Sequence, residues 1–156
     1  MANPCFYRMK LTGAKEQEAK KLIIDLLDYE AGEVSDQGED FWGYCKWSVK
    51  NGLIDGYESS RGLQINLPSI CKNLNIAAEV YGYESGNDFV EHYAVNAKGE
   101  IIAEECEDGV LELSGVDEEA FEEGELCDDD VLDHLPRIFT NAKGQPCAFS
   151  EFSYFE

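Results

Sequence analysis

Ile76-Ala77-Ala78-Glu79-Val80-Tyr81-Gly82-Tyr83-Glu84-Ser85-Gly86-Asn87-Asp88-Phe89-Val90-Glu91-His92-Tyr93-Ala94-Val95-Asn96-Ala97-Lys98-Gly99 is the stretch that decides the fold class. Two runs, Ile76–Glu84 and Asp88–Val95, flank Ser85-Gly86-Asn87, and Asn96-Ala97-Lys98-Gly99 closes the second run. Gly and Asn tolerate the positive φ that tight hairpins demand, so the segment predicts an antiparallel meander. Ile101–Glu107 continues the meander, and Val110–Leu113, after Asp108-Gly109, is expected to add a strand.

Upstream, residues 5–12 alternate Cys5, Tyr7, Met9 and Leu11 with Phe6, Arg8, Lys10 and Thr12, the pattern of a strand that Thr12-Gly13 breaks. Ala19, Leu22, Ile23, Leu26 and Leu27 then recur at helical spacing, with Gly32 placed to end the helix. Residues 33–40 read as a surface loop, followed by an aromatic cluster of Phe41, Trp42, Tyr44 and Trp47. Leu63–Leu67 reads as a short strand, and Pro68 as the first turn of a helix through about Leu74. Downstream, residues 115–121 suggest a short helix, and residues 148–156 an edge strand or an aromatic tail. No internal repeat or linker stands out. Strands interleaved with few helices make this an α+β chain.

At 156 residues, with 44% apolar and 12% aromatic residues, the chain is long enough to bury one core. Its formal charge of −21 comes from 33 carboxylates against 12 Lys and Arg. Such a field repels nucleic-acid phosphates and anionic membranes, so the expected partner is a basic protein surface and not nucleic acid or lipid. The start, Met1-Ala2-Asn3-Pro4-Cys5, has no basic segment followed by an apolar run, and no stretch approaches a membrane span. Six scattered cysteines without a C-x-x-C pair then point to reduced, mostly buried thiols in a cytoplasmic protein.

The opening residues, Met1-Ala2-Asn3-Pro4-Cys5-Phe6-Tyr7-Arg8-Met9-Lys10-Leu11-Thr12-Gly13, resemble the start of YubB-type proteins, a family encoded on plasmids, phages and genomic islands. Trp42-Gly43-Tyr44-Cys45-Lys46-Trp47 resembles the family's W-G-x-K-W element with one extra residue, and Tyr81-Gly82-Tyr83-Glu84-Ser85-Gly86 through Phe89 its Y-Y-E-x-G-x-x-F element. Tyr7 stands where the family usually has Asn. The resemblance covers residues 1–103 and implies a ferredoxin-like sandwich, an antiparallel sheet with helices on one face. Residues 104–156 are then an acidic extension with an aromatic C-terminal tail packed on the same domain. The family has no established activity, so the resemblance implies mobile-element context and no chemistry.

Catalytic and cofactor signals are weak. His92 and His134 are the two histidines, the first read as an ordinary sheet residue and the second as a partner for a helix C-terminus. Asp128-Asp129-Asp130 with Asp133 lacks the EF-hand order and its Gly and Glu, so no metal site is expected. Without C-x-x-C spacing or a phosphate-binding glycine loop, no cofactor is expected either.

Two binding surfaces are expected instead. From Glu104 to Asp133 there are 15 carboxylates and no Lys or Arg, interleaved with apolar anchors such as Val110, Val116, Phe121 and Val131. Ordered, uncompensated negative charge suits imitation of a DNA phosphate track, with Glu118, Glu119, Glu122, Glu123, Asp128, Asp129 and Asp130 as contacts to a basic, DNA-binding or defence protein. The alternative is a small-ligand or peptide site on an aromatic patch of Trp42, Trp47, Tyr81 and Tyr83 on the outer side of the sheet. An enzyme remains the third class, and composition is compatible with a homodimer through an exposed sheet edge.

Overall fold

β1 (Cys5–Thr12) alternates strictly, and that alternation divides the molecule into two cores. Tyr7, Met9 and Leu11 enter one cluster of buried residues, whereas Phe6 enters the other. The computed structural model describes residues 5–31, 47–50, 53–58, 62–124, 131 and 133–155, with the backbone alone at 24–31, 47–50, 55–58, 62–64, 118 and 121. The expected loop at 33–40 and the aromatics Phe41, Trp42 and Tyr44 lie outside the described residues.

The main sheet has six strands, every neighbouring pair antiparallel: β1, β2 (Trp47–Lys50), β3 (Leu53–Glu58), β4 (Ala77–Glu84), β5 (Phe89–Val95) and β6 (Ile101–Asp108). Their order is β2-β3-β1-β4-β5-β6. Two helices, α1 (Glu16–Ala31) and α2 (Gly62–Leu74), cover one face. Ala19 and Ile23 from α1 and Leu67, Ile70 and Cys71 from α2 meet Met9, Leu11, Ile54 and Val80 there. The chain beyond β6 returns over the opposite face. Short helices α3 (Val110–Ser114) and α4 (Glu118–Glu122) lead to a hairpin of β7 (Arg137–Thr140) and β8 (Pro146–Ala148). Val110, Val131, Leu135, Phe139, Cys147 and Phe149 close the second core over Phe6, Tyr81, Tyr83 and Val90. The α+β class and the antiparallel meander are as expected.

Several elements differ from the sequence reading. Leu63–Leu67, expected as a strand, belongs to α2, which carries Pro68 in its interior. Ile65 is 70% exposed while Leu67 is fully buried, with Ile70, Cys71 and Leu74 following at helical spacing, so the segment has a helical and not a strand period. Val110–Leu113 is a helical turn between Gly109 (φ 70°) and Gly115 (φ 72°), not a strand. It buries Val110 and exposes Leu113, and the left-handed glycines at either end let the chain turn in and out of it. Asp117 begins α4 by accepting the Glu119 N–H on its side chain at 3.0 Å. Residues 149–155 form the aromatic tail, with only β8 paired ahead of them.

One turn occurs twice. Asn96-Ala97-Lys98-Gly99-Glu100 joins β5 to β6, and Asn141-Ala142-Lys143-Gly144-Gln145 joins β7 to β8. In each, the Asn carboxamide oxygen accepts the N–H of the Lys and of the residue after Gly, all at 3.0 Å. The Gly N–H returns to the Asn carbonyl at 3.0 and 2.9 Å.

Within the sheet, Tyr7 pairs with Gly56 on one side and Gly82 on the other, which leaves room for its buried ring. A methyl group at Gly82 would lie 2.7 Å from Tyr7 Cε1 and 3.0 Å from Glu91 Cγ. Gly82→Ala is expected to destabilise the protein by about 1–3 kcal/mol through overpacking, read as a lower urea midpoint.

Candidate functional site

Cross-strand register assembles a polar row inside the second core. Arg8 pairs with Tyr81, Tyr81 with His92, and His92 with Glu105, while Glu79 lies one step along β4 on the same face. His92 is fully buried. Its Nε2 lies 2.8 Å from Glu79 Oε2 and its Nδ1 2.9 Å from Glu105 Oε2. Each ring nitrogen thus faces a carboxylate oxygen, and the imidazole bridges the two acidic side chains. Tyr81 stacks on the imidazole with ring centroids 4.4 Å apart, and Phe139 packs beside it at 5.3 Å.

Both carboxylates also reach the covering segment. Glu79, only 2% exposed, accepts the Tyr154 N–H on Oε1 at 3.0 Å. Glu105 accepts the Thr140 hydroxyl at 2.8 Å and the Thr140 N–H at 3.2 Å. The Tyr81 hydroxyl donates to the Glu151 carbonyl at 2.8 Å, Arg8 to the Ser150 hydroxyl at 2.9 Å, and Lys10 to the Phe152 carbonyl at 3.4 Å. β1, β4 and β6 therefore each supply a side chain that holds the C-terminal region down by hydrogen bonds.

Burial pushes the Glu105 carboxyl up, but hydrogen bonds from His92 and Thr140 outweigh it and leave the group below its ordinary value. Burial pushes the Tyr81 phenol far up, aided by Cys147 and Glu79, so the hydroxyl remains a donor. The Cys147 thiol is raised first by burial, with the nearby carboxylates acting in the same direction. Cys71 is pushed up to about 12 by burial alone. Among the described cysteines, Cys5, Cys71 and Cys147 are buried free thiols and Cys106 is an exposed one; Cys45 and Cys127 lie outside the described residues. With both nitrogens engaged and no exposed surface, His92 presents no base to a substrate, and the cluster acts as a clamp. His92 is a sheet residue, as expected, but it is the hinge pin of a charged network that its sequence neighbours do not announce.

Of the expected aromatic patch, the two tyrosines are not surface residues. Tyr81 and Tyr83 are 0% and 1% exposed, because Phe139, Phe149 and the tail cover the face they occupy. Trp47 opens β2, separated from β4 by β3 and β1, and Trp42 lies outside the described residues. Of the acidic candidates, Glu119, Glu122 and Glu123 are exposed at α4, Glu118 begins that helix, and Asp128–Asp130 lie outside the described residues. His134 is exposed. No group of His, Cys, Asp and Glu able to hold a metal occurs among the described residues, and no described helix is long and apolar enough to cross a membrane.

The sequence reading missed β6 as a surface. This strand is the outer edge of the sheet, and Ile101, Ile102, Glu104, Cys106, Glu107 and Asp108 on it are exposed. The signal was available: charge at both odd and even positions, 104 and 105 as well as 107 and 108, marks a strand at the edge of a sheet. The Cys106 thiol is raised first by its partial burial and then by Asp108, Glu91 and Glu107.

Comparison of the chain with protein-family models, with curated proteins and with solved structures found no match.

His92→Ala is expected to cost about 3–5 kcal/mol, measured by denaturant unfolding, because it leaves the Glu79 carboxylate buried without its partner. Glu105 has a depressed folded-state value, so its contribution is present above the ordinary carboxylate range and lost as pH falls through the folded value. Glu105→Gln should therefore lower stability at pH 7 and flatten its acid limb, in unfolding curves taken from pH 7 down to pH 3. Cys106, although exposed, should react with a disulfide reagent at pH 7 more slowly than a free thiol, and faster as salt screens its carboxylate neighbours.

Proposed function

We propose that this chain is a non-catalytic binding protein of a mobile element, whose acidic surface occupies a basic face of a host protein. A DNA-binding or defence protein, with a groove lined by Arg and Lys for phosphates, is the partner this chemistry fits. The observation that carries the reading is the exposure of Glu107, Asp108, Glu112, Glu119, Glu122 and Glu123 along a stretch, Gly99–Pro136, that contains no Lys or Arg. Charge held on strand and helix costs less ordering on binding than charge on a disordered tail, and self-repulsion across it opposes folding. A partner of opposite sign relieves that repulsion. The mechanism is occlusion: carboxylates take the places that phosphates would take.

The order β-α-β-β-α-β from β1 to β4, with those four strands arranged β2-β3-β1-β4, supports assignment to the ferredoxin-like sandwich of YubB-type proteins. In this reading β5 and β6 widen that sheet, and the acidic extension is this chain's own addition. His92, the best-placed candidate base, is buried with both nitrogens occupied, which favours binding over catalysis.

The test is capture of host-lysate proteins on the immobilised chain, at low and moderate salt, with elution by duplex DNA. A DNA-binding protein retained at low salt and displaced by DNA is the expected result. Combined Glu119→Lys, Glu122→Lys and Glu123→Lys should weaken its binding at least about tenfold, since each tenfold is 1.4 kcal/mol and several charge contacts are reversed. Binding indifferent to salt, to DNA and to this reversal would overturn the reading.

A further inference from the structure

The free edge of β6 identifies how a basic partner engages, an inference that rests on the reading just given. The phase of the β5–β6 ladder follows from its end. Gly109 donates to the Asp88 carbonyl at 3.0 Å, in register with the pair Phe89 and Asp108. Antiparallel ladders alternate, so Val90 with Glu107 and His92 with Glu105 exchange hydrogen bonds, whereas Glu91 with Cys106 and Phe89 with Asp108 do not. The backbone N–H and C=O groups of Cys106 and Asp108 thus point away from the sheet.

Among the described residues, no strand pairs with β6 at Cys106 and Asp108 on that side. β6 ends the strand order, β7 and β8 form a separate sheet, and Ile102, Cys106 and Asp108 are exposed. Natural edges are usually protected by charged side chains, above all Lys, or by Pro, shortness or bulges. β6 is eight residues long with neither Lys nor Pro, and its irregularity is confined to the level of Ala94 and Val95 at its start. What it carries at exposed positions is acid, Glu104, Glu107 and Asp108, beside the apolar Ile101 and Ile102.

That composition selects the occupant. A second copy of this chain paired through β6 would set carboxylates opposite carboxylates, which is unfavourable. An extended segment with Lys or Arg at alternate positions sets opposite charges together and brings its own backbone donors and acceptors. We propose that β6 accepts such a basic extended segment of a partner protein by strand addition, with backbone pairing at Cys106 and Asp108 and the flanking carboxylates selecting cations. The carboxylates at α4 then enlarge the attracting field and are not the seat of the contact.

The experiment uses the full chain and a labelled synthetic peptide of alternating Lys and Val, followed by fluorescence anisotropy at low salt and by amide hydrogen exchange. Wild type and Cys106→Ser should bind alike, with exchange slowed at the Cys106 and Asp108 amides. Cys106→Pro removes one outward N–H and leaves the β5–β6 hydrogen bonds in place, so binding should fall at least about tenfold. Should that variant fold poorly by circular dichroism, the exchange pattern of the wild type decides alone. Absence of peptide binding, unslowed exchange at these two amides, or equal binding by a folded Cys106→Pro each overturns strand addition. Loss on reversing Glu119, Glu122 and Glu123, with Cys106→Pro unaffected, overturns the edge while leaving the charge reading intact. A dimer of this chain, held through the same protected amides in sedimentation without peptide, overturns the choice of occupant.

Discussion

A fully buried imidazole between two carboxylates joins the two halves of this molecule. His92 packs against Phe139, and its two partners extend the link: Glu79 and Glu105 each carry a second oxygen or lone pair onward, to Tyr154 and to Thr140. A charge of this kind is tolerable away from water only when every acceptor and donor around it is matched. The covering segment supplies those matches, and the sheet supplies the charges. Fixing one fixes the other, so the C-terminal region is part of the domain and not an appendage to it.

This arrangement explains why the sheet has two unlike faces. The side under α1 and α2 is closed by aliphatic side chains such as Met9, Ile23, Leu67 and Val80, where shape is enough. The opposite side carries Arg8, Lys10, Glu79, Tyr81 and His92, and closes through directed hydrogen bonds to residues 150–154 as well as through Phe139 and Phe149. Directed bonds pin the register of the cover, which an apolar surface alone would leave free to slide. Among the described residues both faces of the sheet are closed, and its perimeter on the β6 side is acidic. In the proposed reading, the charge that repels a second copy is also what would attract a basic partner.

Much of the fold was legible along the chain because local chemistry specified it. The Asn96-Ala97-Lys98-Gly99 turn gave away the β5–β6 hairpin through an Asn side chain that bonds its own backbone and a Gly free to take positive φ. The same four residue types at Asn141–Gly144 announced β7 and β8 equally well, and that hairpin was overlooked although its signal was identical. Leu63–Leu67 was illegible for a different reason. A five-residue window fits both a period of two and part of a helical period, and only the burial of Leu67 against the exposure of Ile65 separates them. The aromatic site failed because exposure was inferred for Tyr81 and Tyr83 from their strand, when segments more than fifty residues later cover them.

By itself the sequence determined the α+β class, the meander and the one-sided charge, since each follows from neighbours within a few residues or from composition. Tertiary structure alone decided that His92 meets Glu79 and Glu105, that the C-terminal aromatics bury the tyrosines, and that β6 is the edge. The physical reason is that these depend on strand order and register. Glu79 and Glu105 each lie thirteen residues from His92 along the chain, yet the pleat sets all three on one face and within hydrogen-bonding distance.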